Sequence, residues 1–159
     1  MLRSFALENE VERLLREERY ELAVLVSQTL LELRIEAELA DFFKSAGEEV
    51  LGEAALGLLP SFNLGNGRVQ TFFERLVGVR LRDKYQDEMA ALRAHVERRN
   101  GIAHRGEQVS RENAKASFEA VLAVTQIAHE LAYRALGLED LLEEEARQEG
   151  EDDDEEGWE

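Results

Sequence analysis

The chain has 159 residues and a mass of 18.1 kDa, and its 35 acidic and 19 basic side chains amount to a formal net charge of −16. This length favours one domain, and the lack of cysteine excludes disulfides, thiol nucleophiles and cysteine-ligated metal sites. The negative charge argues at first against a nucleic-acid partner, because two polyanions repel each other.

Leucine, alanine, glutamate and arginine are frequent, there is one proline, and apolar residues recur at three- and four-residue steps. This pattern predicts helix almost throughout and no strand. We therefore expect an all-α, up-and-down bundle of about five helices. The predicted helical segments, in chain order, are a short one that ends near residues 18–19, then 20–45, 48–59, 69–77, 81–100 and 110–136.

Glycines and one hydroxyl side chain mark the predicted helix ends. Gly78 precedes the fifth predicted segment, and Gly137 closes the last one. Ser110, with Asn113 three positions later, is predicted to cap the start of the last helix. Gly101 is expected to break the helix before it.

The excess negative charge lies mainly at the C-terminus. Residues 139–159 contain 13 acids and one base, a net of −12, whereas residues 1–138 carry only −4. Within that body, residues 68–115 contain 7 acids and 11 bases, a net of +4. We therefore predict a helical domain over 1–138 and a disordered acidic tail over 139–159. The tail serves solubility, competes with nucleic acid for the basic segment as an anionic mimic, or docks a partner.

The chain carries no signal of export, membrane insertion or metal binding. Acids appear by Glu8, and no stretch approaches the roughly 20 apolar residues that a membrane span needs. We expect a soluble, cytoplasmic protein with no membrane partner, no metal site and no cofactor. Of the three histidines, two are interpreted as structural. His95 is interpreted as an exposed or core-edge side chain, and His129 as a core-edge side chain whose polar atoms are satisfied.

Polar residues gather between the last two long helices, in the segment Arg98-Arg99-Asn100-Gly101-Ile102-Ala103-His104-Arg105-Gly106. Arginine is a permanent forked cation suited to phosphate oxygens, and histidine exchanges protons near neutrality. On one continuous helix Arg99 and His104 would lie about 140° apart, so a break at Gly101 would help them to converge. The combination fits phosphodiester chemistry, with positive potential added by Arg98, Arg105 and Arg111.

The hexapeptide Arg99-Asn100-Gly101-Ile102-Ala103-His104 resembles the signature of the HEPN (higher eukaryotes and prokaryotes nucleotide-binding) superfamily. That signature is an Arg, four to six residues and a His, commonly with Asn, Asp or His after the Arg, before the last long helix of a small bundle. Residues 19–25 are similar to the start of the second helix in many members, and the resemblance spans residues 8–136. It implies a metal-independent endoribonuclease whose two protomers pack as a homodimer with both motifs facing one cleft.

The resemblance also implies roles for single residues. Arg99 would neutralise the scissile phosphate, Asn100 would position the phosphate or the imidazole, and His104 would act as general acid or base. The 2′-hydroxyl of the RNA would attack and leave a 2′,3′-cyclic phosphate. Substrate binding is assigned to Arg98, Arg105 and Arg111.

The sequence is also compatible with other interpretations. The chain is alternatively a non-catalytic HEPN-like module that binds nucleotide or RNA or scaffolds a complex, or an inhibitory, antitoxin-like protein that acts through its tail. As a ribonuclease it would be a toxin or a phage-defence effector, with a nucleotidyltransferase-like antitoxin as a possible partner. Arg99 and His104 would otherwise only stabilise the C-terminal end of a helix.

Overall fold

The computed structural model describes the backbone of residues 2–140 and the side chains of residues 4–140. Within these residues the chain forms seven helices and no strand, which confirms the all-α class. The helices are α1 (Leu2–Arg16), α2 (Tyr20–Ser45), α3 (Glu49–Leu56), α4 (Gly67–Val77), α5 (Leu81–Lys84), α6 (Gln86–Arg105) and α7 (Arg111–Ala135).

The long helices α2 and α7 form the centre of the fold. They pack against each other, α2 also contacts α1, α3 and α6, and α7 also contacts α6 and α4. Helix α2 has the predicted bounds, but the apolar stripe expected at its inner face is wrong, because only Leu30 is buried among Leu22, Leu25, Val26, Thr29, Leu30, Leu33, Ala37 and Ala40. The buried face instead includes Ala23, Val24, Leu31, Ile35, Leu39 and Phe43. Each buried leucine or phenylalanine contributes about 1.5 to 3 kcal/mol through removal of apolar surface from water. The largest buried apolar side chains include Leu30, Leu31, Ile35, Leu39, Leu64, Phe73, Leu81 and Leu92.

The expected count of about five helices is wrong for the described residues. The segment predicted as one helix over 81–100 is divided at Tyr85, whose φ of −128° and ψ of 56° are not helical. Tyr85 donates its amide to the Leu81 carbonyl at 2.8 Å and accepts from the Met89 amide at 3.0 Å, so it ends α5 and begins α6. Its ring packs against the core, and this tertiary contact accompanies a bend with no local glycine or proline signal.

The predicted ends of α4 and α7 are confirmed. Gly78 and Gly137, with φ values of 71° and 68°, follow these two helices. Ser110 caps α7, because its Oγ accepts a hydrogen bond from the Asn113 amide at 3.3 Å. Such local signals are legible in sequence since the residues that make the cap are neighbours in the chain.

The predicted disorder of the tail over 139–159 falls on residues outside the described part, except for Glu139 and Asp140, whose backbone is helical. Within the described part, none of the helices is both long and apolar enough to cross a membrane.

Candidate active site

The Arg99 to His104 motif lies on the last turns of α6 and not at a helix break. Helix α6 continues through Gly101 to Arg105, and Gly101 does not have a positive φ. The expected break at Gly101 is therefore wrong. Because successive residues of an α-helix rotate by about 100°, Arg99 and His104 leave the helix axis about 140° apart.

The helix ends instead at Gly106, whose φ of 63° lies in the left-handed region. The Gly106 amide donates to the Ile102 carbonyl at 3.1 Å, and the Glu107 amide donates to the Gly101 carbonyl at 3.3 Å. These bonds satisfy carbonyl groups that the last turn would otherwise leave open. His104 is therefore held one residue before the end of a capped helix.

Gly101 has a different role, which is to allow close approach of side chains. The carboxylate of Glu107 folds back over it, and a Cβ added at Gly101 would lie 2.8 Å from Glu107 Cδ. Arg105 Nε donates to the same carboxylate at 2.5 Å. This ion pair lowers the pKa of Glu107, chiefly through the hydrogen bond from Arg105. Arg105, expected to bind substrate, is thus exposed but already paired.

Asn100 is hydrogen-bonded to one of the two candidate catalytic residues and shares a helix face with the other. Its Oδ1 accepts a hydrogen bond from Arg99 Nη1 at 3.1 Å, and both side chains are partly exposed. Asn100 also lies four residues before His104, so the two share one face of α6. His104 is exposed and makes no hydrogen bond or ion pair within the described residues. An exposed imidazole, an amide and a guanidinium therefore stand within two turns of helix.

The other predicted substrate-binding arginines lie in different surroundings. Arg98 turns toward α7, where its Nη1 donates to the Oγ of the buried Ser117 at 3.1 Å. This bond joins α6 to α7 and fixes the orientation of the motif turns. Arg111, at the start of α7, is exposed and has no ion pair among the described residues. Of the three, Arg111 is the one whose cation is open to a ligand.

The loop after the motif is held by a residue that no sequence motif marks as functional. Glu21, in the first turn of α2, accepts a hydrogen bond from the Val109 amide through Oε1 at 2.9 Å. The two residues are 88 positions apart, so no local pattern connects them. The bond attaches the connection between α6 and α7 to the first turn of α2.

His95 lies one turn before Arg99 and is fully buried, so the expectation of an exposed or core-edge side chain is wrong. Gln28 Nε2 donates to Glu32 at 2.7 Å, which leaves Gln28 Oε1 to accept from His95 Nε2 at 3.2 Å. Desolvation lowers the pKa of His95 to about 4, and the charges of Arg98 and Arg99 act in the same direction. His95 is therefore neutral at pH 7 and contributes no charge to the site.

The expectation for His129 is confirmed. Its ring is partly buried, and Nδ1 lies 2.9 Å from Glu38 Oε2 across the α2–α7 contact. Among the residues from 2 to 140, no group of three or more histidine, aspartate or glutamate side chains is arranged to hold a metal ion.

No protein-family model, curated protein or solved structure matches the chain. The resemblance to the HEPN superfamily therefore rests on the motif and on its position before the last long helix.

Proposed function

We propose that this chain is a metal-independent endoribonuclease of the cytoplasm that cleaves RNA through attack of the RNA's own 2′-hydroxyl. One observation carries the proposal. The exposed imidazole of His104 has no partner among the described residues and shares a helix face with Asn100, which accepts the hydrogen bond from Arg99. These are the proton-transfer group, the orienting amide and the phosphate-binding cation that the reaction needs.

In the proposed reaction, the 2′-oxygen forms a bond to phosphorus while the bond to the 5′-oxygen of the next nucleotide breaks. A proton leaves the 2′-hydroxyl and a proton reaches the departing 5′-oxygen; His104 performs one of these transfers and solvent water the other. Arg99 stabilises the charge on the phosphate oxygens, and Asn100 orients the guanidinium. Each proton transfer contributes on the order of 10²- to 10⁴-fold in rate.

The geometry favours a site built from two protomers. Because Arg99 and His104 project about 140° apart on one helix, a single α6 does not direct both at one phosphate. A homodimer with its two motifs facing one cleft supplies Arg99 from one protomer and His104 of the partner subunit. We propose this dimer as the active form, with a biological role as a toxin or phage-defence effector and a nucleotidyltransferase-like antitoxin as the partner.

The test is incubation of the purified full chain with RNA in EDTA beside His104→Ala and Arg99→Ala variants. Each variant is expected to lose about 100-fold or more in cleavage rate, with a 2′,3′-cyclic phosphate on the wild-type product. Arg16→Ala, which removes an exposed arginine from α1, is the matched control and should cleave normally. Cleavage that survives in both motif variants contradicts the proposal.

Mixing the two inactive variants tests the shared site. A mixed dimer contains one complete pair, Arg99 from one chain and His104 from the other, so random exchange should restore about a quarter of wild-type activity. Complete absence of restored activity in a mixture shown to exchange subunits contradicts the two-protomer site.

The second candidate is a non-catalytic module that binds RNA. The observation that favours it is the separation of Arg99 and His104, which form no contact with each other in the described chain. It predicts RNA binding without turnover under every condition, including deletion of residues 139–159.

A further inference from the structure

The described cations differ in whether they have an acidic partner. Within residues 94–115, Arg105 and Lys115 have one, whereas Arg98, Arg99 and Arg111 have no ion pair within the described residues. Outside residues 68–115 most of the cations are paired, and Arg19 and Lys44 are the exceptions within the described residues. The pairs there are Arg13 with Glu10 and Glu17, Arg16 with Glu12, Arg34 with Glu8, and Arg134 with Glu130. In the stretch 68–93, by contrast, all the cations lack an ion pair within the described residues: Arg68, Arg75, Arg80, Arg82, Lys84 and Arg93.

Four of these unpaired arginines line two adjoining grooves. The first lies along α4 and the connection to α5, and its walls include Arg75, Arg80 and Arg82. The second lies between α5 and the first turns of α6, and its walls include Arg82 and Arg93. Arg82 belongs to both grooves, so they form one surface, which we call the arginine groove. All four side chains are exposed.

The acids of the arginine groove do not neutralise these arginines by contact. Glu74 is engaged elsewhere, because its Oε1 accepts from Gln70 Nε2 at 2.7 Å and from the Leu81 amide at 2.9 Å. It thereby joins α4 to α5 and shapes the groove. Asp83 and Asp87 also line the grooves but form no ion pair within the described chain. Guanidinium groups without an acidic partner are suited to phosphate oxygens, which they bind through two parallel hydrogen bonds.

Arg93 of the arginine groove shares one face of α6 with two residues of the candidate active site. Arg93, Asn100 and His104 follow one another at seven- and four-residue steps and therefore lie on one face of the helix. The distance along the axis from Arg93 to His104 is about 16 Å. Glu97 is exposed on the same face of α6, and it is the one acidic residue on that face between Arg93 and His104.

We infer that the arginine groove binds the sugar-phosphate backbone of an RNA strand and leads it along the outer face of α6 to His104. The inference rests on the proposed function for the identity of the polyanion as RNA. Contacts to phosphate carry no sequence information, so the groove sets the position and affinity of the strand and not its base preference. The groove residues are positioning residues and take no part in the chemistry.

The test measures binding of a short, labelled, unstructured RNA to the full chain carrying His104→Ala, so that cleavage does not disturb the titration. In that background, Arg82→Gln with Arg93→Gln should weaken binding about tenfold at low salt. It should also reduce the slope of log K against log salt by about 1.4, since each contact to a single strand contributes about 0.7. The matched control is Arg13→Gln with Arg16→Gln, which makes the same charge change on α1 and should alter affinity by less than about twofold.

We call Arg82→Gln with Arg93→Gln the groove pair and Arg13→Gln with Arg16→Gln the control pair. Equal losses of RNA affinity in the two pairs would overturn the inference, because they would indicate a general charge effect. Absence of RNA binding by the His104→Ala chain would also overturn it. Cleavage by wild type, measured in parallel, separates the two proposals. If wild type does not cleave but the groove pair alone weakens binding, the proposed function fails and the groove stands. If wild type cleaves and the two pairs bind alike, the groove fails and the proposed function stands.

Discussion

His95 and His104 occupy the same helix, nine residues apart, and have opposite surroundings. His95 is fully buried against Gln28, whereas His104 is exposed. In the sequence, His95 follows the apolar residue Leu92 by three positions and therefore continues the inner face of α6, which indicates burial of His95. Burial decides their chemistry, since an imidazole excluded from water is held neutral at neutral pH.

The lowered pKa of His95 predicts an acid-dependent loss of stability. Below its ordinary pKa of 6.5 the unfolded chain gains a proton on this imidazole, while the folded chain does not until about pH 4. The free energy of unfolding should therefore fall as pH decreases through this window, by roughly 2 to 3 kcal/mol from this group between about pH 7 and pH 4.5. Denaturant titrations across this range measure the free energy of unfolding of wild type and of His95→Gln. The two free energies should converge at low pH.

His104→Gln is the control for this experiment, because it removes an exposed imidazole from the same helix. It should still show the loss of stability at low pH that comes from His95. If His95→Gln and wild type keep a constant difference in unfolding free energy from neutral to acidic pH, the buried, neutral state of His95 is wrong.

At the scale of the element, α6 shows why a helix is easier to predict than its end. The recurrence of apolar residues predicted a helix here. Two glycines, Gly101 and Gly106, lie near its C-terminus, and a glycine at either position is suited to end a helix. The structure ends the helix at Gly106 with a positive φ and carries it through Gly101. That choice separates Arg99 and His104 on the helix surface and so bears directly on how the site is assembled.

The same substitution at the two glycines should have opposite effects. Gly101→Ala favours the helix by about 1 kcal/mol and displaces only the exposed side chains of Glu107 and Arg105, whose ion pair contributes little. We expect unchanged or increased thermal stability. Gly106→Ala has open space around it but places a Cβ at a φ of 63°, which should destabilise by about 1 kcal/mol.

Thermal unfolding of the two variants, followed by circular dichroism, measures this difference. Lower stability of Gly101→Ala than of Gly106→Ala would indicate that the helix ends at Gly101 in solution, as the sequence pattern had suggested.

At the scale of the whole molecule, two long-range bonds hold the motif turns. Glu21 of α2 binds the Val109 amide, and Arg98 binds Ser117 of α7. The motif is therefore attached to both central helices of the fold. The net charge of −16 is divided at the same scale, because residues 139–159 carry −12 and residues 68–115 carry +4. The arginine groove lies within that basic stretch.

Deletion of residues 139–159 should tighten RNA binding, since it removes twelve net negative charges from the chain. We expect an increase in affinity of about three- to tenfold at low ionic strength that disappears as salt screens the charges. A salt-matched titration measures it. A tail of the same length, in which serine and glycine replace the acids and Arg147, is the control and should bind as the deletion does. Unchanged or weaker binding after deletion indicates that the tail serves solubility or another partner.

The sequence by itself determined the helical class, the bounds of α2, the caps at Ser110, Gly78 and Gly137, and the motif, because each depends on residues close together in the chain. Only the tertiary structure decided the bend at Tyr85, the burial of His95 and the pairing of Glu21 with Val109. These features depend on contacts between residues far apart in sequence, whose energies no local pattern records.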